Sequence, residues 1–338
     1  MNKKTQYSVA VAGATGAVGV EMVKVLEQRN FPVGALKLLA SSRSVGKTIK
    51  FRGADIAVEE LRHDSFQGVD IALFSAGASI SREFRQSVVD AGAVMIDNSS
   101  AFRMEKDVPL VVPEVNPGDV AAHHGVIANP NCSTIITLVA VAPLHRAFGL
   151  KRMVASTYQA ASGAGAKGMD ELLVQTRQVL DEQPIAPSTF AHRIAFNLIP
   201  HIDVFLDNGY TKEELKMLNE SRKMLHAEDL MVACTCVRVP VVRAHSVSLN
   251  LEFAVPATPA MAREALASAP GVKLVDDPAA KRYPMPVDAS GQGDVLVGRI
   301  RQDISRNDGR GLDLFISGDQ VLKGAALNAV QIAEILVQ

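Results

Sequence analysis

Cys132 sits in the run Ala128-Asn129-Pro130-Asn131-Cys132-Ser133-Thr134-Ile135-Ile136, where a Pro-punctuated turn hands one thiol to what reads as the first turn of an apolar helix. Unpaired N–H groups and the positive end of the helix dipole favour thiolate over thiol there, which makes a nucleophile. An isolated cysteine is as readily a small buried hydrophobe, so its company decides. Upstream, Tyr7-Ser8-Val9-Ala10-Val11-Ala12 runs into Gly13-Ala14-Thr15-Gly16-Ala17-Val18-Gly19, followed by helical spacing at Val20, Val23, Leu26 and Glu27. Strand, tight GxxGxxG turn and helix in that order can cradle a pyrophosphate on backbone N–H groups, although a packing turn gives the same spelling. Downstream, Arg238-Val239-Pro240-Val241 precedes His245, so a planar guanidinium and an imidazole that titrates near neutrality lie seven positions apart.

The segments that must position these groups differ between the two halves of the chain. In the first half, Leu36-Lys37-Leu38-Leu39-Ala40, Val69–Phe74 and Ala93–Asp97 read as strands that end in small residues, Ser75-Ala76-Gly77 and Asn98-Ser99-Ser100 among them. Small residues at carboxyl strand ends line the crevice of a doubly wound sheet. Where such a fold for NAD usually carries an acidic residue at the second strand end, Ser41-Ser42-Arg43-Ser44 stands instead, a cation with hydroxyls that suits a 2′-phosphate and favours NADP. In the second half, Met153–Gln159 is strand-like and flows into Ala160-Ala161-Ser162-Gly163-Ala164-Gly165-Ala166, with a helix expected over 166–181. Thr211 and Glu214 spell a capping box, and Glu213 and Lys216 share a helix face as an ordinary surface ion pair would. Val247, Leu249, Leu251 and Phe253 alternate with Ser248, Asn250 and Glu252, the period of a sheet with one buried face, and a strand pair is expected near 295–301 and 312–317. An amphipathic helix over Val321–Val337 is expected to return to the first domain.

Composition narrows the class. The 338 residues are 48% hydrophobic and 21% charged with a formal net charge of -1, which suits two domains with substantial cores and steers the chain to neither nucleic acid nor membrane. Cys132, Cys234 and Cys236 are too few for a disulfide framework or a zinc site, and Cys234 and Cys236 would share one strand face. His123-His124 lacks a third ligand at suitable spacing, so no metal is expected. The start Met1-Asn2-Lys3-Lys4 before an apolar run imitates a leader, but the run breaks at Gly13, Gly16 and Gly19 without a cleavage-like end. No run approaches the ~18 apolar residues of a membrane span, and the cytoplasm is the expected compartment.

Taken together, Gly13–Gly19, Asn129-Pro130-Asn131-Cys132-Ser133-Thr134, Tyr158–Gly165 and Arg238-Val239-Pro240-Val241 with His245 resemble the aspartate-β-semialdehyde dehydrogenases of the bacterial type, over nearly the whole chain and in the family's order. The resemblance implies an α/β protein: a Rossmann-like NADP-binding domain, here 1–131 with 321–338, joined to an α+β catalytic and dimerisation domain with a mainly antiparallel sheet, here 132–320. It implies reversible conversion of L-aspartate-4-semialdehyde, phosphate and NADP to L-4-aspartyl phosphate and NADPH, the reductive direction feeding lysine, threonine and methionine synthesis. By the same carry-over Cys132 is the nucleophile, His245 the acid/base residue, and Gln159 the neutral hydrogen-bonder that orients substrate. Arg238 would grip the α-carboxylate, Glu213 the amino group, and Arg103 and Lys216 the phosphate. Gly13, Thr15, Gly16, Ala17, Val18, Ser41, Ser42, Arg43, Ser44, Gly77, Ser162, Gly163 and Gln320 would bind the dinucleotide. Ala161, Ala244 and Val247 stand where family members often carry a bulkier residue, Gly and Glu respectively. A homodimer is implied, with pairing of dimers left open. The rivals are an N-acetyl-glutamyl-phosphate reductase-like enzyme and a catalytically silent NADP-binding paralogue.

Overall fold

The computed structural model describes residues 3–338; the Met1-Asn2 start of the leader-like stretch lies outside the described residues. The chain divides into two units, one running to Asn131 and completed by Ala325–Gln338, the other spanning Cys132–Gly324. The C-terminal segment of the first unit thus starts at Ala325 rather than at 321.

In the first unit β1 (Tyr7–Ala12), α1 (Ala17–Gln28), β2 (Val33–Ala40), β3 (Thr48–Phe51), β4 (Ala54–Glu60), β5 (Ile71–Phe74), α2 (Ala78–Asp90), β6 (Val94–Asp97) and β7 (Val126–Ala128) follow in order. They build a seven-stranded sheet, β3-β4-β2-β1-β5-β6-β7. Its pairs are parallel except the β3/β4 hairpin, whose turn residues Arg52 and Gly53 have φ of 50° and 79°, the left-handed pair that a tight two-residue turn requires. The central strands are buried on both faces and read as continuous apolar runs. The Gly turn is sterically exacting. Gly13 has φ +82°, and a Cβ there would lie 2.4 Å from the Ser75 carbonyl oxygen; a Cβ on Gly19 would lie 2.2 Å from the Gly13 carbonyl oxygen. Glycine therefore lets β1, β5 and α1 meet backbone to backbone. The expected helix over Val321–Val337 is wound more widely at Leu322–Ala326 and becomes α-helical over Leu327–Val337. It is not amphipathic over its first half: every residue from Val321 to Val330 is buried, and Asn328 there donates to the Val111 carbonyl at 2.9 Å and to Asn129 Oδ1 at 2.6 Å.

The second unit contains α3 (Cys132–Phe148), β8 (Leu150–Gln159), α4 (Gly165–Leu180), α5 (Lys212–Met224), β9 (Met231–Arg238), β10 (His245–Phe253), α6 (Pro259–Ala267), β11 (Val272–Leu274), α7 (Pro286–Ala289), β12 (Val295–Gln302) and β13 (Gly311–Gly318). Its six-stranded sheet has the order β11-β12-β13-β10-β8-β9. β10 runs antiparallel to both β8 and β13, but β8/β9 and β11/β12 are parallel, so the sheet is mixed and mostly antiparallel. The long β8-to-β9 connection through α4 and α5 has the length a parallel crossover needs. Along β10 the alternating apolar residues are buried and the polar ones half-buried, as the period predicts. α3 is apolar all round and packs on this sheet as a core helix. Cys234 and Cys236 do share a face, their sulfurs 3.7 Å apart.

Gly19→Ala is expected to destabilise the protein by at least about 2 kcal/mol, because the Gly13-Ala14 backbone must yield to the new methyl. Gly118→Ala, where a Cβ meets nothing within 4 Å, should leave the thermal midpoint nearly unchanged. Parallel melts of the two variants check this.

Candidate active site

Sheet register assembles the chemistry of the second unit. The parallel β8/β9 ladder sets Gln159 beside Arg238, and the antiparallel β8/β10 ladder, pairing Tyr158 with Ser246, continues to His245 beside Gln159. Three strand ends thus deliver guanidinium, amide and imidazole in one row, all buried. β13 extends the row, with Gly318 opposite His245.

His245 is wholly buried, and its Nδ1 accepts the Ala160 backbone N–H at 3.0 Å. A backbone N–H can only donate, so the neutral ring keeps its proton on Nε2. Among the described residues that buried atom has no hydrogen-bond partner. Burial, aided by the nearby Arg238 cation, pushes the imidazole well below its ordinary 6.5, so the ring is neutral at pH 7. The Arg238 guanidinium donates through Nη1 to the Ala160 carbonyl at 2.7 Å and faces the Phe190 ring at 5.7 Å. Gly163 lies against both groups; a Cβ there would come within 2.6 Å of Arg238 Nη1 and 3.2 Å of His245 Nε2. The residue ahead of His245, Ala244, has φ +71°, a conformation glycine adopts more easily.

On the other side of the row, Gln159 Nε2 donates at 3.3 Å to Glu213 Oε1 and at 3.3 Å to Thr157 Oγ1. Thr211 and Glu214 close the expected capping box at the start of α5, and Glu214 also accepts the Cys236 N–H at 3.1 Å, which fixes that helix against β9. Glu213 therefore projects inward and is buried. Its ion pair with Lys216, 2.9 Å, is no plain surface couple, for Lys216 also binds Asp203 at 2.8 Å. Burial lowers the Lys216 ammonium's pKa, but the two carboxylates outweigh it and leave the value above that of an ordinary lysine. Asp203 is held below the usual carboxylate range by the same contact, against its own burial. The half-buried Cys132 opens α3, and a thiolate there would attract the Arg238 cation. Gln320 accepts the Ala244 N–H at 2.9 Å and donates to Ser162 Oγ, so its amide is engaged inside this unit.

In the first unit a cleft of about 590 Å³ is lined by Gly13, Thr15 and Gly16 from the turn, Ser41, Ser42 and Arg43 after β2, and Phe84 from α2. Thr15 and Ser44 hydroxyls lie 3.2 Å apart, tying the two loops. The glycine cradle and the apolar wall fit a dinucleotide, and the exposed Arg43 shares the cleft with Glu60 and Glu83. Ala17 and Val18 form the first turn of α1, and Gly77, with φ +93°, caps α2 beside the cleft without lining it. Arg103 is buried, donating to the Asn129 carbonyl at 3.0 Å and the Asn98 carbonyl at 3.0 Å. Among the described residues no group of three metal-ligating side chains exists, and His123 Nδ1 accepts the Gly125 N–H instead. No helix among them is long and apolar enough to cross a membrane.

Residues 8–123 match the semialdehyde dehydrogenase NAD binding domain, and 141–323 match the semialdehyde dehydrogenase dimerisation domain. Aspartate-semialdehyde dehydrogenase of Synechocystis sp. is 54% identical over 330 residues, covering 98% of this chain and 97% of the relative. The chain belongs to the aspartate-semialdehyde dehydrogenase family. Among solved structures, aspartate semialdehyde dehydrogenase II of Vibrio cholerae complexed with ASA superposes with a TM-score of 0.96 at 47% identity, covering 99% of each chain. The Candida albicans enzyme with NADP superposes with a TM-score of 0.76 at 26% identity, covering 98% of each. The chain is thus an enzyme of amino-acid biosynthesis with an NAD(P)-binding domain.

For this family member, sequence reasoning missed Glu60, Leu61, Ile80, Glu83 and Phe84 in the cleft, and Asp203 and Phe190 around the charged row. The α2 residues Ile80, Glu83 and Phe84 follow a helical period, but nothing in it says which face meets a cleft. Asp203 carried no signal in the sequence, and its φ of +70°, unusual for a non-glycine residue, becomes visible only in the fold.

The depressed imidazole of His245 has a consequence for stability. The folded ring stays neutral while the unfolded one takes up a proton near 6.5, so the unfolded state binds more protons below that pH and stability falls on acidification. The slope approaches about 1.4 kcal/mol per pH unit per such group. Melting curves between pH 7 and 5 should show His245→Asn losing less stability over that range than the parent protein.

Proposed function

We propose that the chain interconverts L-aspartate-4-semialdehyde, phosphate and NADP with L-4-aspartyl phosphate and NADPH through a thioester at Cys132. The single observation that carries this reading is the buried, unpartnered Nε2 donor of His245, set in register beside Gln159 and the Arg238 fork. In the oxidative direction the Cys132 thiolate, its proton already lost to solvent, attacks the aldehyde carbon. The resulting oxyanion sits where the Nε2–H of His245 can donate to it, and a donor in a dry site stabilises such charge strongly. This refines an acid/base histidine: with Nδ1 tied to a backbone N–H, the neutral ring serves as a donor first. Collapse of the oxyanion breaks the C–H bond, the hydrogen leaving as hydride toward the dinucleotide, and leaves a thioester, whose carbonyl carbon a phosphate oxygen then attacks to expel the thiolate. Gly13, Thr15, Gly16, Ser41, Ser42 and Arg43 would hold NADP, which would supply the hydride acceptor.

Arg238 offers its free edge to the α-carboxylate, and the buried Glu213 carboxylate suits the ammonium. Lys216, charged by its two carboxylate neighbours, and Arg103 are the phosphate cations of this reading. Glu213 also argues against an N-acetylated substrate, which has no ammonium to offer it. Retention of both thiol and imidazole argues against a silent paralogue. We further infer a homodimer, which the match to a dimerisation domain supports, and a cytoplasmic enzyme, with its three cysteines kept as thiols.

A phosphate-dependent rise in NADPH absorbance on L-aspartate-4-semialdehyde tests the reaction; preference for N-acetyl-glutamate semialdehyde would sink it. Cys132→Ser and His245→Ala should each lower kcat by about 10³-fold or more. Arg43→Ala should lower kcat/KM for NADP about tenfold or more while leaving NAD nearly unaffected, measured by varying each cofactor at saturating aldehyde.

A further inference from the structure

Among the described residues the Arg238 guanidinium makes one hydrogen bond to protein, Nη1 to the Ala160 carbonyl at 2.7 Å. One such contact fixes a point but leaves the guanidinium plane free to turn about it. The Phe190 ring, 5.7 Å from Arg238 Cζ, supplies the missing constraint. Phe190 itself lies outside helix and strand, half-buried in the connection between α4 and α5. It is nonetheless held hard. Immediately before it, Glu171 of α4 accepts the Ser188 N–H at 3.1 Å, the Ser188 hydroxyl at 2.9 Å and the Thr189 N–H at 2.5 Å. Just after it, Gln175, one turn further along α4 and bonded to Glu171 at 2.8 Å, accepts the Ile194 N–H at 2.8 Å. A Cβ on Gly168 would lie 2.5 Å from the Ala161 carbonyl oxygen and 3.1 Å from the ring edge, so glycine there admits both.

We propose that Phe190, clamped by Glu171, is a positioning residue that sets the plane of the Arg238 guanidinium and thereby selects substrates carrying an α-carboxylate. The inference rests on the reading of Arg238 as the carboxylate fork. A bidentate pair depends on both N–H bonds lying in one plane with the carboxylate, so tilting the fork weakens this contact and no other. Packing alone would be met equally well by leucine.

The test is steady-state kinetics of the intact enzyme with two aldehydes, L-aspartate-4-semialdehyde and 3-aminopropanal, the same aldehyde without its α-carboxylate. Phe190→Leu should raise KM for the semialdehyde about tenfold, leave kcat within about threefold, and leave KM for phosphate and NADP unchanged. On 3-aminopropanal its kcat/KM should equal that of the parent. Phe190→Tyr, which keeps the ring, should restore the parent values, and Glu171→Gln should shift KM for the semialdehyde in the same direction by a smaller factor. An equal loss on both aldehydes, or an unchanged KM for the semialdehyde in Phe190→Leu, would overturn the proposal. If the parent enzyme itself does not prefer the carboxylated aldehyde, the reading of Arg238 fails and takes this proposal with it.

Discussion

The register of three neighbouring strands is the constraint on which the site rests. β9, β8 and β10 end so that Arg238, Gln159 and His245 fall side by side on the buried face. A slip of one residue in either ladder would turn an entire strand's side chains to the opposite face. The alternating apolar positions of β10 forbid that slip, because it would expose Val247, Leu249 and Leu251 and bury Ser248, Asn250 and Glu252. The hydrophobic core therefore does more than hold the sheet together. It decides which residues meet at its end.

Charge is arranged around that row with the same economy. Arg238 has a carbonyl and an aromatic face as its neighbours, which keeps its cation available to an incoming anion. Lys216 is shared by Glu213 and Asp203, so burial does not neutralise it. The imidazole of His245, by contrast, has no acidic partner and stays neutral, its one acceptor atom occupied by a main-chain N–H. In this mostly buried setting the Arg238 cation and the neutral His245 donor favour negative charge beside them, while Lys216 is offset by its two carboxylates. Backbone does comparable work in the first unit, where two glycines without Cβ atoms let β1, β5 and α1 close around a cleft.

Much of this was legible beforehand. The thiol at the first turn of an apolar helix, the Gly turn after a short strand, the capping box of Thr211 and Glu214 and the alternation in β10 each follow from local rules acting over a few residues. The mixed direction of the second sheet was not, since parallel pairing of β8 with β9 depends on how a long connection crosses over. Nor was the β3/β4 hairpin, whose strands are largely exposed and show little hydrophobic alternation.

The amino-acid sequence by itself determined the family, a thiol placed at the start of an apolar helix, and the class of the longer strands and helices it singled out, because these depend on residue type and on neighbours a few positions away. Only the tertiary structure decided that Lys216 has two carboxylate partners, that His245 keeps its proton on Nε2, and that Phe190 covers Arg238. Apart from Glu213, which lies three positions from Lys216, the partners are 13 residues away for Asp203 and 85 for the Ala160 N–H that meets His245, and distance along a chain carries no information about contact until the fold brings such groups together.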